Sequence, residues 1–237
     1  MAADLAVIVT AHNEADRLGG TLRALRETFP HAELWVADDA SEDTTAALAV
    51  EAGARVVTAP KRLGKGGAAT LAAEAVLNEG DPIVLLADAD LADSARRLRR
   101  LVDAVSDEDA TADEDATADA LAADLAIATF AQRVGGGFGI AVGASRWAIR
   151  HATGRTMQAP MSGQRAMRAG VLPQLLPFAP GFGIETGMTI DALNTGLHVV
   201  EIEIELEHRP TGKTLNGFVH RGRQARDALR AYASRRA

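Results

Sequence analysis

The run Ile83-Val-Leu-Leu-Ala-Asp-Ala-Asp90 constrains the fold of this chain more than any other feature. Its apolar residues have no helical period, and they end abruptly in two carboxylates, Asp88 and Asp90, one residue apart. A short apolar run bounded by turn signals reads as a central strand of a parallel sheet. Open α/β sheets bind ligands beyond the carboxyl ends of such strands. Two acids this close repel each other unless a cation lies between them. They are hard oxygen ligands, suited to Mg²⁺ or Mn²⁺ bridging phosphate oxygens. The pattern therefore points to a divalent metal and a diphosphate at the end of a strand. Taken alone, Asp-x-Asp reads more readily as two solvated acids in a loop, so the rest of the chain has to decide.

The first hundred residues alternate strand and helix patterns. Strands are expected at Leu5–Thr10, Glu33–Ala37, Arg55–Ala59 and Ile83–Ala87. Helices are expected at Ala15–Thr28, Ser41–Ala52, Gly66–Asn78 and Ser94–Val105, with Ser41 or Asp43 as a cap and Gly53 as a stop. This order predicts a parallel sheet with right-handed crossovers. Residues 106–124 then break the pattern with a nearly repeated Asp-Glu-Asp-Ala-Thr-Ala-Asp, too polar to pack, read as a solvated surface insertion. A strand resumes at Leu125–Phe130, followed by a helix over Phe138–Thr153, a short strand or turn at Gly163–Met167 and a helix at Ile184–Asn194. Leu197–Glu207 alternates apolar and acidic residues over its second half, the mark of a strand with two unlike faces. A basic helix over Gly217–Arg236 closes the chain.

The 237 residues suffice for one α/β domain with a sizeable core. A net charge of -7 argues against a nucleic-acid partner. The absence of cysteine excludes disulfides and any thiolate metal site. No apolar run reaches the length of a membrane span, and the N-terminus lacks a basic leader, so a cytoplasmic protein is expected. The basic C-terminal segment leaves peripheral contact with a membrane surface open.

Four segments carry a resemblance: Val7-Ile-Val-Thr-Ala-His-Asn-Glu14, Val36-Ala-Asp-Asp-Ala-Ser-Glu-Asp-Thr-Thr45, Arg62-Leu-Gly-Lys-Gly-Gly67 and Leu86-Ala-Asp-Ala-Asp-Leu91. In this order and spacing they resemble family 2 glycosyltransferases of the GT-A fold, nearest to the dolichol- and polyprenyl-phosphate sugar synthases. The likeness continues more loosely through Met161-Ser-Gly-Gln-Arg-Ala166 and Gly181-Phe-Gly-Ile-Glu185. It implies an α/β, Rossmann-like, mostly parallel sheet flanked by helices and forming a single domain over 1–237. Residues 1–105 would bind the nucleotide sugar and 125–237 the acceptor. The implied activity is inverting transfer of a sugar from a nucleoside-diphosphate sugar, with Mg²⁺ or Mn²⁺, to a phosphate-bearing acceptor such as polyprenyl phosphate. A small soluble acceptor of the phosphoglycerate kind is the alternative, as is a binding protein without catalysis.

The resemblance also distributes roles. The turn Ala11-His-Asn13-Glu14 would face the nucleotide, with Glu14 on base or ribose; locally, Asn13 and Glu14 read equally as helix caps. Asp38 and Asp39 would recognise the base and ribose of UDP or GDP. Lys65, in a glycine-rich turn before a helix, offers a point charge to phosphate. That turn is too short for a P-loop, which disfavours an ATPase. Asp88, Ala89 and Asp90 would line the diphosphate, with Asp90 ranked first as metal ligand and His208 a candidate third; Asp93 reads as ligand or cap. Arg165 could hold an acceptor phosphate through its planar fork. Glu185 could act as general base on an acceptor hydroxyl or merely begin a helix. Arg209 and Lys213 would contact phosphate. A sugar-phosphate nucleotidyltransferase is disfavoured because Thr10-Ala-His-Asn-Glu14 is not its glycine-rich, arginine-containing loop.

Overall fold

A computed structural model describes residues 5–106, 122–130, 139–205 and 215–235. The acidic repeat, the glycine run before Gly139 and the segment carrying His208, Arg209 and Lys213 lie outside the described residues. The strands are β1 (Leu5–Ala11), β2 (Glu33–Asp38), β3 (Arg55–Thr58), β4 (Ile83–Asp88), β5 (Leu125–Phe130), β6 (Arg165–Met167) and β7 (Val199–Ile204). The helices are α1 (Ala15–Thr28), α2 (Thr45–Glu51), α3 (Lys65–Leu77), α4 (Arg99–Asp103), α5 (Gly139–Thr153), α6 (Leu172–Leu175), α7 (Ile184–Asn194) and α8 (Leu215–Ala233). Short 3-10 segments cover Ala92–Leu98 and Gly181–Gly183.

All seven strands form one sheet in the order β3-β2-β1-β4-β6-β5-β7. Every pairing is parallel except those of β6, which runs antiparallel to both β4 and β5. The nearly continuous apolar runs of β1 and β4 are what burial on both faces requires. One face packs a core of Ile8, Trp35, Leu86 and Ile127 against α3, α5 and α7. The other packs Val7, Val9, Leu85 and Ala87 against Leu18, Leu22 and Leu25 of α1 and Leu98 of the 3-10 segment. Each such leucine or valine contributes roughly 1.5–3 kcal/mol on full burial.

The expected first half stands as a β-α alternation, with two differences. The second helix begins at Thr45 rather than Ser41, because Ser41 and Asp43 are drawn to the preceding crossover. Ser41 Oγ accepts the Asn13 amide at 3.0 Å, and Asp43 accepts the amides of Ala15 and Thr45. The expected helix Ser94–Val105 is split into the 3-10 segment and α4.

The topology creates the site. The chain leaves β1 to one side for β2 and to the other for β4, so the strand order reverses at β1, and a crevice forms there at the carboxyl ends. Register aligns those ends: Ala11 lies opposite Asp38, and Thr10 opposite Asp88. Because β6 is antiparallel, it begins where β4 ends, with Arg165 opposite Leu86. The residues just before it, Gly163 and Gln164, are thereby delivered beside Asp88.

Candidate active site

At the carboxyl end of β4, three charged side chains from three distant parts of the chain meet. Lys65 Nζ lies 2.6 Å from Asp88 Oδ1 and 2.8 Å from Glu185 Oε1. Gln164 Nε2 donates to the other Asp88 oxygen at 2.7 Å. The ammonium is held with its proton: desolvation opposes its charge, but Asp88 and Glu185 outweigh that, and its pKa is raised above the ordinary 10.5.

Lys65 is placed by glycine and alanine chemistry. Gly64 adopts a φ of 79°, turning the chain into α3, and a Cβ there would lie 2.9 Å from Gly181 Cα. A Cβ on Gly66 would lie 1.9 Å from the Ala179 carbonyl oxygen. No side chain fits at that crossing, so the first turn of α3 lies directly on the segment leading into Glu185. Ala68, Ala69, Ala72 and Ala73 then let the helix sink onto the sheet, each buried. Gly163 is equally constrained: its Cβ would meet Lys65 Nζ at 2.4 Å and Asp88 Oδ2 at 2.8 Å.

Asp39 fixes the approach to Lys65. Its Oδ1 accepts the amides of Leu63 at 2.6 Å and Gly64 at 3.0 Å, its Oδ2 lies 3.0 Å from the Gly64 amide, and Arg62 approaches at 3.9 Å. Asp38 is buried, with Oδ1 accepting the Ser41 amide at 3.3 Å. Glu14 occupies the N-cap position of α1, its carbonyl accepting the Arg17 and Leu18 amides at 3.0 Å, whereas Asn13 does not cap that helix. Asn13, at φ 55°, accepts the Glu42 amide through its side chain, and Glu14 makes no side-chain cap on α1. The Glu14 amide instead donates to Thr45 Oγ1 at 2.9 Å. Ala11 and Ala89 are buried.

Asp90 lies just past β4, 28% exposed, with Arg17 at 3.9 Å. A residue that the sequence did not single out holds this turn: fully buried Thr21 of α1 donates to the Ala89 carbonyl at 2.7 Å and accepts the Ala92 amide at 2.9 Å. Asp93 is 77% exposed and faces Arg96 at 3.9 Å, away from a ligand role.

Arg165 and Glu185 depart from a solvent-facing picture. Arg165 is 1% exposed, donating from Nε to the Ser162 carbonyl and from Nη1 to Thr189 Oγ1, both at 2.9 Å. Burial pulls its pKa from 12.5 down to about 10, opposed by the charges of Glu185 and Glu201. The guanidinium is thus enclosed beneath the site rather than presented at its surface. Glu185 lies in the first turn of α7 and is 5% exposed, its Oε1 facing Lys65. The missed member, Gln164, adjoins Arg165 in the singled-out Ser162-Gly-Gln-Arg165; residue type alone did not mark it as an Asp88 partner.

No set of three potential ligands for a metal ion is assembled among the described residues. The donor chemistry nevertheless fits a hard divalent cation. Mg²⁺-type sites commonly use one or two carboxylates, with phosphate oxygens and water completing the shell. Asp90 is the better placed of the pair, since Asp88 already serves Lys65 and Gln164.

The sheet order, the carboxylates on adjoining strand ends and the lysine at a helix start define a GT-A glycosyltransferase fold. Residues 6–113 match the model of glycosyl transferase family 2. That match and the glycosyltransferases named next support a glycosyltransferase. An undecaprenyl-phosphate mannosyltransferase of Micrococcus luteus is 28% identical over 223 residues, covering 87% of this chain and 85% of that protein. The structure of glucosyl-3-phosphoglycerate synthase from Mycobacterium tuberculosis with phosphoglyceric acid superposes with a TM-score of 0.74 at 26% identity. That match covers 98% of this chain and 80% of the other. The same enzyme with Mn²⁺, uridine diphosphate and glucosyl-3-phosphoglycerate gives a TM-score of 0.73, at 26% identity and the same coverage.

Proposed function

We propose that the protein transfers a hexose, with inversion, from a UDP- or GDP-sugar to a phosphate-bearing acceptor in the cytoplasm, using Mg²⁺ or Mn²⁺. The observation that carries this reading is the convergence of Lys65, Asp88 and Glu185 at the strand-order switch, beside the amino end of α3. A helix start and an ammonium together favour a diphosphate. Asp88 and Asp90, with His208 a candidate beyond the described residues, would hold the cation. When bound, it would neutralise the departing diphosphate.

The chain's own residues then act as follows. Lys65 moves from its carboxylates to a phosphate oxygen and stabilises the charge that develops as the glycosidic bond breaks. Glu14, Asp38 and Asp39 lie at the nucleoside end, where carboxylates can accept ribose hydroxyl or base N–H donors. The acceptor oxygen attacks the anomeric carbon from the opposite side. An acceptor hydroxyl would pass its proton to Glu185, which Lys65 vacates as it turns to the donor; an acceptor phosphate is already anionic and needs no base. Arg209 and Lys213 would supply further phosphate contacts.

Two acceptor classes follow from the relatives, and both carry phosphate. Polyprenyl phosphate is supported by the mannosyltransferase likeness and by a basic α8 suited to peripheral contact with an anionic membrane. A phosphoglycerate-like acceptor is supported by the likeness to glucosyl-3-phosphoglycerate synthase over 98% of this chain. Release of nucleoside diphosphate from UDP-glucose or GDP-mannose with Mn²⁺ tests the reading. We expect release that depends on polyprenyl phosphate or 3-phosphoglycerate. Acceptor-independent binding without release would leave a nucleotide-sugar-binding protein instead.

A further inference from the structure

Beneath the site, two ionic side chains each leave one polar atom unmatched. Arg165 Nη2 and Glu185 Oε2 are buried and have no hydrogen-bond partner among the described residues. A guanidinium carries five N–H donors, and a carboxylate has acceptor sites on both oxygens. Buried charged groups rarely stay unsatisfied, because each unmade bond costs the full desolvation of that atom. Both residues line the same small cavity of about 10 Å³, which also touches Lys65 and Gly163. Such a space holds about one water, provided that polar partners surround it.

We propose that one ordered water joins Arg165 Nη2 to Glu185 Oε2, making Arg165 a positioning residue for Glu185 and, through it, for Lys65. The charges then alternate through the site: Asp88, Lys65, Glu185, Arg165. This order has a use that rests on the donor reading above. Without ligand, the two cations Lys65 and Arg165 balance the two carboxylates Asp88 and Glu185, with Lys65 shared between both acids. Once a diphosphate draws Lys65 toward itself, Glu185 would be left charged and buried, at a large desolvation cost. Arg165 supplies the compensating charge that lets Lys65 leave. Thr189 couples the two chemically: its hydroxyl accepts from Arg165 Nη1 at 2.9 Å and donates to the Glu185 carbonyl at 2.8 Å. Arg165 lies on β6 and Glu185 on α7, so this contact also ties the strand to the helix.

Two measurements test the proposal. A ligand-free crystal structure that shows ordered water should place one within hydrogen-bond distance, about 3 Å, of both atoms. An empty cavity, or a direct Arg165–Glu185 contact, would overturn the bridge. Calorimetry with UDP and with GDP, each with Mn²⁺, tests the positioning role in Arg165→Met and Arg165→Lys. Arg165→Met should bind the accepted nucleotide about tenfold more weakly, with Arg165→Lys recovering part of the loss. Unchanged nucleotide affinity in folded Arg165→Met would overturn the proposal, whether its melting temperature falls or not. Wild-type protein that binds neither nucleotide would instead overturn the donor reading, leaving the water test standing.

Discussion

Replacing Gly163 with alanine tests whether the Lys65–Asp88 geometry matters, because it adds one methyl group and no charge. The new Cβ would lie 2.4 Å from Lys65 Nζ, 2.8 Å from Asp88 Oδ2 and 3.0 Å from Asp88 Oδ1. Ordinary contact begins near 3.5 Å, so the ammonium must retreat by about 1 Å. Lys65 Nζ is the far end of a flexible chain and can move at little cost to the fold. Its side chain is 19% exposed, and Asp88 is 30% exposed. We therefore expect a stability loss of about 1 kcal/mol, or roughly 2–4 °C in melting temperature for a chain of this size. Catalysis is less forgiving, since a 1 Å misplacement can cost about 100-fold. Nucleoside diphosphate release should accordingly fall about 10- to 100-fold in Gly163→Ala, with melting followed by circular dichroism. A wild-type rate at an unchanged melting temperature would refute the reasoning.

Two further outcomes follow from the same contacts. Asp39→Ala removes the acceptor for the Leu63 and Gly64 amides, so it should cost about 1.5–3 kcal/mol in urea denaturation and speed hydrogen exchange at residues 63–64. Lys65 has a pKa raised above its ordinary 10.5, so its contribution to stability is complete below that pH and is lost as pH rises through the higher folded value. Lys65→Met should thus be destabilised by a constant amount between about pH 6 and 9, and the gap from wild type should narrow only under strongly alkaline conditions.

The parts of the fold written in local chemistry were legible in the sequence. Apolar runs without helical period gave β1, β2 and β4, and the topology rule placed Asp38, Asp88 and Lys65 at one edge of the sheet. Roles that depend on long-range pairing were not legible. Nothing local shows that β6 would enter antiparallel at the end of β4, bringing Gln164 to Asp88 and enclosing Arg165. Asp39 illustrates the same limit: its anchoring of the Leu63–Gly64 amides joins positions more than twenty residues apart. Thr21 escaped notice because a threonine within an amphipathic helix carries no signal until Ala89 and Ala92 pack against it. The glycines at 64 and 66 were legible as a turn permitting close approach before a helix, but not that the Gly181 and Ala179 backbone is what approaches them, nor that Gly163 makes room for Lys65 and Asp88.

The most direct test of the central claim is calorimetry of UDP- and GDP-sugars with Mn²⁺, on wild type and on Asp90→Ala. Asp90 is partly exposed and outside the Lys65 ion pairs, so its loss should leave the fold intact. The account predicts binding of one nucleotide class that requires Mn²⁺ and is lost in Asp90→Ala. Equal binding by wild type and Asp90→Ala, or binding indifferent to Mn²⁺, would contradict the metal and diphosphate site at the end of β4.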